Sequence, residues 1–213
     1  MSEEHIITDS YQRRVSYLRF SVTDRCNLHC VYCRSDGPEE FIPHEDVLRY
    51  EEIIRLVRIA RSMHVNKVRL TGGEPFARRD FDKLLLGLRE NFPDLNLRIT
   101  SNGTLMGPHI PVLKQARINA VNLSIDSFRP ETFARVTGHD LLGKVTETLD
   151  ALLDAGIRTK INAVAMRGIN DHDLPAFLDI IRRLPVSSSS CPWEAGQSGV
   201  RTASGQPMTS SGM

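Results

Sequence analysis

Five short stretches of the chain alternate apolar and polar residues, and between them apolar residues recur at helical spacing. Residues 15–23 set Leu18, Phe20 and Val22 against Arg19, Ser21 and Thr23. Residues 67–71, 96–100, 120–126 and 159–165 repeat the pattern with Val68/Leu70, Leu97/Ile99, Val121/Leu123/Ile125 and Ile161/Ala163. Such period-two alternation predicts strands covered on one face. Ile53, Ile54, Val57, Ala60 and Met63 fall on one helical stripe, as do Phe81, Leu84, Leu85 and Leu88. A short helix is expected over residues 111–115, and a longer one through Val145, Leu149, Leu152 and Leu153 that stops at Gly156. Leu174, Phe177, Leu178 and Ile181 mark the last helix.

Strict strand–helix alternation predicts an α/β architecture of about five βα units on a parallel sheet. Strand phase then separates an open, doubly covered sheet from a curved one. Strands covered on both faces read as near-continuous apolar runs. Here each strand keeps a polar side: Arg19/Ser21/Thr23, Lys67/Arg69/Thr71, Arg98/Thr100, Asn122/Ser124/Asp126 and Lys160/Asn162. The expectation is a partial (β/α) barrel of TIM type over residues 15–185, helices outside and a polar interior, with the sixth strand missing. Arg19, Lys67, Arg69, Arg98 and Lys160 face Asp126 alone on that inner side. Clustered cations away from water call for a carboxylate or phosphate ligand. A sheet with one face open to solvent gives the same alternation.

The ends differ in character. Residues 1–14 are polar. Residues 186–213 are rich in Ser and Gly, a composition expected to stay disordered, and hold Cys191 without a functional partner. The abrupt switch after Pro185 is expected to mark a truncation or a frame-shifted reading.

Composition adds exclusions. Lys+Arg number 27 against 26 Asp+Glu in 213 residues, so no overall charge invites nucleic acid. The N-terminus lacks a basic segment followed by an apolar core, and no apolar run approaches the roughly 20 residues that span a bilayer. A cytoplasmic protein is expected, with no membrane partner and with thiols kept reduced. Three of the four cysteines, Cys26, Cys30 and Cys33, then point to metal, at the spacing Cys-x3-Cys-x2-Cys. Structural zinc requires a fourth ligand, which His29 or His44 could supply. An iron–sulfur cubane held by three thiolates keeps one iron open.

That spacing, with Tyr32 just before the last cysteine, resembles the radical S-adenosylmethionine (radical SAM) superfamily. The flanking stretches 17–28, 67–75, 100–103, 122–127 and 160–164 resemble the GTP 3′,8-cyclase family of molybdenum-cofactor biosynthesis. The resemblance spans about residues 13–184. It implies one 4Fe–4S cluster on Cys26, Cys30 and Cys33 and S-adenosylmethionine held by Tyr32, Gly73 and Ser124. It further implies GTP contacts at Arg19, Arg69, Thr100 and Lys160, and no catalytic side chain beyond cluster and cofactor. The implied reaction is radical conversion of GTP to its 3′,8-cyclised dihydroguanosine triphosphate, begun by a 5′-deoxyadenosyl radical. Implied partners are a flavodoxin or ferredoxin as electron donor, a homodimeric copy, and a downstream cyclic pyranopterin monophosphate synthase. The family's second, C-terminal cluster region has no counterpart here. Two other functions fit the residues: a different radical SAM activity, such as peptide modification, and a non-catalytic metal-binding module.

Overall fold

The five alternating stretches pair in one parallel sheet whose spatial order follows the chain, β1-β2-β3-β4-β5. The computed structural model describes residues 6–33 and 41–183. The strands are β1 (Tyr17–Ser21), β2 (Lys67–Thr71), β3 (Asn96–Ser101), β4 (Ala120–Ser124) and β5 (Thr159–Asn162). The intervening helices are α1 (Tyr50–Ser62), α2 (Phe81–Asn91), α3 (Ile110–Gln115), α4 (Pro130–Thr137) and α5 (Leu142–Asp154), and α6 (Leu174–Arg183) follows β5. Parallel crossovers are right-handed almost without exception. A strand order that never reverses therefore places every crossover helix on one face. A doubly wound sheet would reverse at a switch point.

The apolar strand positions build the core on the helix side. Val68, Leu70, Leu97, Ile99, Val121 and Leu123 are fully buried against Val57, Leu84, Leu88, Leu113, Val145 and Leu152 of the helices. Burial along β3 alternates residue by residue, and β4 alternates from Val121 onward. The opposite face carries the polar set, and the architecture is the expected α/β partial barrel. Among the described residues the sheet has five strands.

One helix and the strand ends depart from the expected pattern. Helix α4 was not signalled by periodicity, because eight residues supply only Phe133 and Val136 as fully buried apolar anchors. Its ends did carry signals: Pro130 in the first turn and Gly138 in the left-handed conformation just past the last. The strands also stop short of their apolar runs. Val22 and Ile125 are buried beyond the ladder ends, each still donating one backbone hydrogen bond, to Thr71 and Asn162 respectively. Residues 6–14 close a small turn in which Asp9 accepts from the Tyr11 and Arg13 amides and from Arg13 Nε. The tail 186–213, with Cys191, lies outside the described residues.

Candidate functional site

The cysteine loop leaves β1 at the C-terminal edge of the sheet, and four other segments hold it there. The Gly72–Gly73 turn after β2 presses directly on it. Gly73 N donates to Thr23 O at 2.8 Å and Glu74 N to Arg25 O at 2.8 Å. A Cβ on Gly72 would meet Thr23 O at 2.3 Å, and one on Gly73 would meet Arg25 O at 2.3 Å. Side chains are excluded at both positions, because neither contact is with anything that can move aside.

Glu74 then anchors the loop after β3. Its carboxylate is wholly buried and accepts from Ser101 Oγ (2.9 and 3.0 Å), Asn102 N (2.7 Å) and Phe76 N (3.1 Å). Burial pushes its pKa from 4.5 up to about 7, against the pull of those donors. Asn102 reaches on to the cysteine loop, donating from Nδ2 to Asn27 Oδ1 at 3.1 Å and toward Cys26 Sγ at 3.6 Å. Thr104 Oγ1 bridges Asn102 and Asn27.

On the other side the loop rests on α4. His29 N donates to Thr137 O and Val31 N to Val136 O, both at 2.9 Å. The His29 ring turns to His139, Nδ1 to Nε2 at 3.2 Å, and His44 stands exposed on a separate turn. Tyr32 donates its hydroxyl to Asp126 Oδ2 at 2.6 Å. Asp126 Oδ1 accepts from Val164 N at 2.8 Å, and its carbonyl accepts from Asn170 Nδ2 at 2.7 Å. Burial raises the Asp126 carboxyl above its ordinary range despite those donors, and burial followed by the bond to Asp126 raises the Tyr32 phenol. Strand phase had Asp126 facing the cations of the sheet; its carboxylate instead takes Tyr32 and the Val164 amide as partners, and among the described residues no ion pair joins it to those cations. It lies past the end of β4 and fastens the cysteine loop.

Cys26 and Cys30 are partly buried, Cys33 is exposed, and none of the three is in a disulfide. Burial, then the Asp126 charge, pushes the Cys30 thiol up to about 11, and Cys26 and Cys33 add to the rise. Cys30 thus lies near enough to Cys26 and Cys33 to feel their charge, a repulsion that a bound cationic centre would reverse. Among the described residues no three ligand side chains converge on a point suited to a single ion. A cubane gives each thiolate its own iron, so its ligands need not converge. An all-thiol donor set on one constrained loop fits such a cluster.

The polar face of the sheet lies beside this loop. Register sets Arg19, Arg69 and Arg98 directly across from one another on β1, β2 and β3. A row nearer the cysteine loop runs Thr100, Asn122, Lys160 across β3, β4 and β5. Arg69 is buried and donates from Nε to Tyr17 Oη at 2.8 Å and from Nη1 to Thr100 Oγ1 at 3.1 Å. Among the described residues no carboxylate pairs with Arg19, Lys67, Arg69, Arg98 or Lys160 within 4 Å. Ser124 ends β4, in register with Asn162. The structure therefore gathers Tyr32, Gly73 and the cysteines into one assembly. It joins Arg69 to Thr100 by a hydrogen bond and leaves Lys160 two strands away on the same face. Glu74, Asn102 and Asp126 as loop anchors were not singled out from sequence.

A one-sided α/β sheet, a three-thiol loop at its carboxyl edge and a basic face without carboxylate partners among the described residues together fit a cluster-binding barrel protein. The Radical SAM superfamily profile matches residues 20–181, and the chain belongs to that superfamily. Its members are built around a 4Fe–4S cluster and S-adenosylmethionine. GTP 3′,8-cyclase of Nautilia profundicola is 40% identical over 182 residues, 85% of this chain and 57% of that protein. The Petrotoga mobilis enzyme of the same name is 40% identical over 174 residues, 81% and 54% of the two chains. The chain thus spans a little over half the length of these relatives. Among solved structures, Streptococcus suis SuiB bound to S-adenosylmethionine superposes with a TM-score of 0.65 at 20% identity, covering 79% of this chain and 39% of that one. Native anSMEcpe with bound AdoMet gives 0.63 at 20%, covering 79% and 50%. At that identity the likeness is one of fold. No described helix is long and apolar enough to cross a membrane.

Proposed function

We propose that this chain carries the cluster- and nucleotide-binding barrel of a GTP 3′,8-cyclase, acting in the cytoplasm in molybdenum-cofactor biosynthesis. The observation that carries the reading is the row of guanidinium groups on the polar face of the sheet whose carboxyl edge holds the cysteine loop, none with a carboxylate partner among the described residues. Cys26, Cys30 and Cys33 would hold the 4Fe–4S cluster. When bound, cluster and S-adenosylmethionine supply the one-electron cleavage that generates the initiating radical. Gly73, Tyr32 and Ser124 would border the S-adenosylmethionine site. Arg19, Arg69 and Lys160 would bind phosphate oxygens through charge-assisted hydrogen bonds, with Thr100 holding Arg69 in place and adding its hydroxyl. A flavodoxin or ferredoxin would deliver the electron, and the product would pass to a cyclic pyranopterin monophosphate synthase.

Anaerobic reconstitution followed by calorimetric titration with GTP tests this. The expected result is about four iron and four sulfide per chain, with GTP binding that weakens at least about ten-fold in Arg69→Ala and in Lys160→Ala. Iron near zero, or GTP binding indifferent to both substitutions, overturns the proposal.

A further inference from the structure

The three-arginine row contains one residue that the proposed GTP contacts leave unused. Arg98 sits opposite Arg69 on β3, and on its far side the row ends at Ala120, buried and too short to reach across the face. Adjacent strands are roughly 4.8 Å apart, so the three guanidinium stems form a ladder two strand spacings wide. Like charges placed directly opposite one another across strands are destabilising, and here three stand in line. Among the described residues, the groups hydrogen-bonded to them add no negative charge. Arg98 Nε donates to the neutral Asn96 Oδ1 at 2.9 Å, and Arg69 is held by Tyr17 and Thr100. Lys67 lies over the Tyr17 ring at 5.7 Å from its centroid. Burial, then the neighbouring Arg69 and Arg158 charges, depress the Arg98 pKa.

We propose that Arg98 is a specificity-determining residue that reads phosphate number, completing with Arg19 and Arg69 a ladder fitted to a nucleoside triphosphate. The proposal rests on the reading of this face as the GTP site and goes beyond it by fixing which part of the ligand the third arginine meets. A single phosphate has oxygens for one or two neighbouring guanidinium groups. Only a polyphosphate laid along the row reaches all three. Asn96 occupies the Arg98 Nε, and among the described residues no hydrogen bond or ion pair takes its two terminal nitrogens, which leaves them available to phosphate oxygens. The guanidinium fork suits phosphate in a way an ammonium does not.

The test compares GTP, GDP and GMP by calorimetric titration on the cluster-reconstituted full chain, for wild type, Arg98→Ala and Arg98→Lys. The expected wild-type order is GTP over GDP over GMP. Arg98→Ala should weaken GTP about ten-fold or more and GMP less than about two-fold, collapsing the ratio between them; Arg98→Lys should fall between. Iron content and far-UV circular dichroism report whether each variant is folded. If the alanine variant is not, Arg98→Gln, which retains a donor for Asn96, gives the same readout. An equal loss for all three nucleotides, or no loss for GTP, overturns the Arg98 assignment while leaving GTP as substrate. Failure of wild type to bind any of the three removes the substrate reading, and this inference with it.

Discussion

Glu74 is the residue whose removal would say most about how the site is held. Its carboxylate has no solvent exposure and accepts from Ser101, Asn102 and Phe76, yet burial still lifts its pKa from 4.5 to about 7. The gap between those values is worth about 3 kcal/mol. The folded state binds this proton more tightly than the unfolded chain. Its contribution is therefore most favourable below pH 4.5 and is lost as pH rises toward 7, beyond which the buried charge costs its full amount. Glu74→Gln cannot titrate. Whatever fixed penalty the amide incurs by turning an N–H group toward the Asn102 amide, that penalty does not change with pH. Urea unfolding followed by far-UV circular dichroism from pH 4 to 8 should show wild-type stability, taken relative to the variant, falling by about 3 kcal/mol between pH 4.5 and 7.5. A difference flat to within about 1 kcal/mol would show that the three donors already compensate burial, and would refute the argument.

Two further substitutions probe the loop from other sides. Gly73→Ala places a methyl 2.3 Å from Arg25 O, so the cysteine loop must shift. The expected cost is about 2 kcal/mol or more, with reduced iron after reconstitution, measured by thermal melting and iron assay. Asp126→Ala strips the Tyr32 hydroxyl and the Val164 amide of their acceptor at a buried position. It should cost about 2–4 kcal/mol, and Asp126→Asn less, as read from urea midpoints.

The sheet was legible because β1 to β5 obey one rule, apolar toward helices and polar away, and a two-residue period cannot be mistaken over five repeats. The same phase carried the basic row, since Arg19, Arg69 and Arg98 occupy equivalent positions whether or not their partners are known. Phase says less where strands end. Extrapolating β4 from Ser124 to Asp126 set that carboxylate against the cations, whereas the ladder stops at Ser124, the chain bends at Asp126 and its carboxylate bonds Tyr32. Helix α4 escaped because eight residues complete barely two turns. The Glu74–Ser101–Asn102 anchor joins residues 27 and 28 positions apart. A single sequence holds no trace of such a pairing, and strand neighbours must be known first.

A sheet ordered as its chain is ordered assembles by local steps, each strand closing onto the one just made, which keeps loop-closure entropy low throughout. The cysteine loop does not share in that economy. It follows the first strand, but its holders arrive with Gly73, Asn102, Asp126 and Thr137, on successive later units. The segment nearest the start of the fold thus owes its shape to contacts from four later segments.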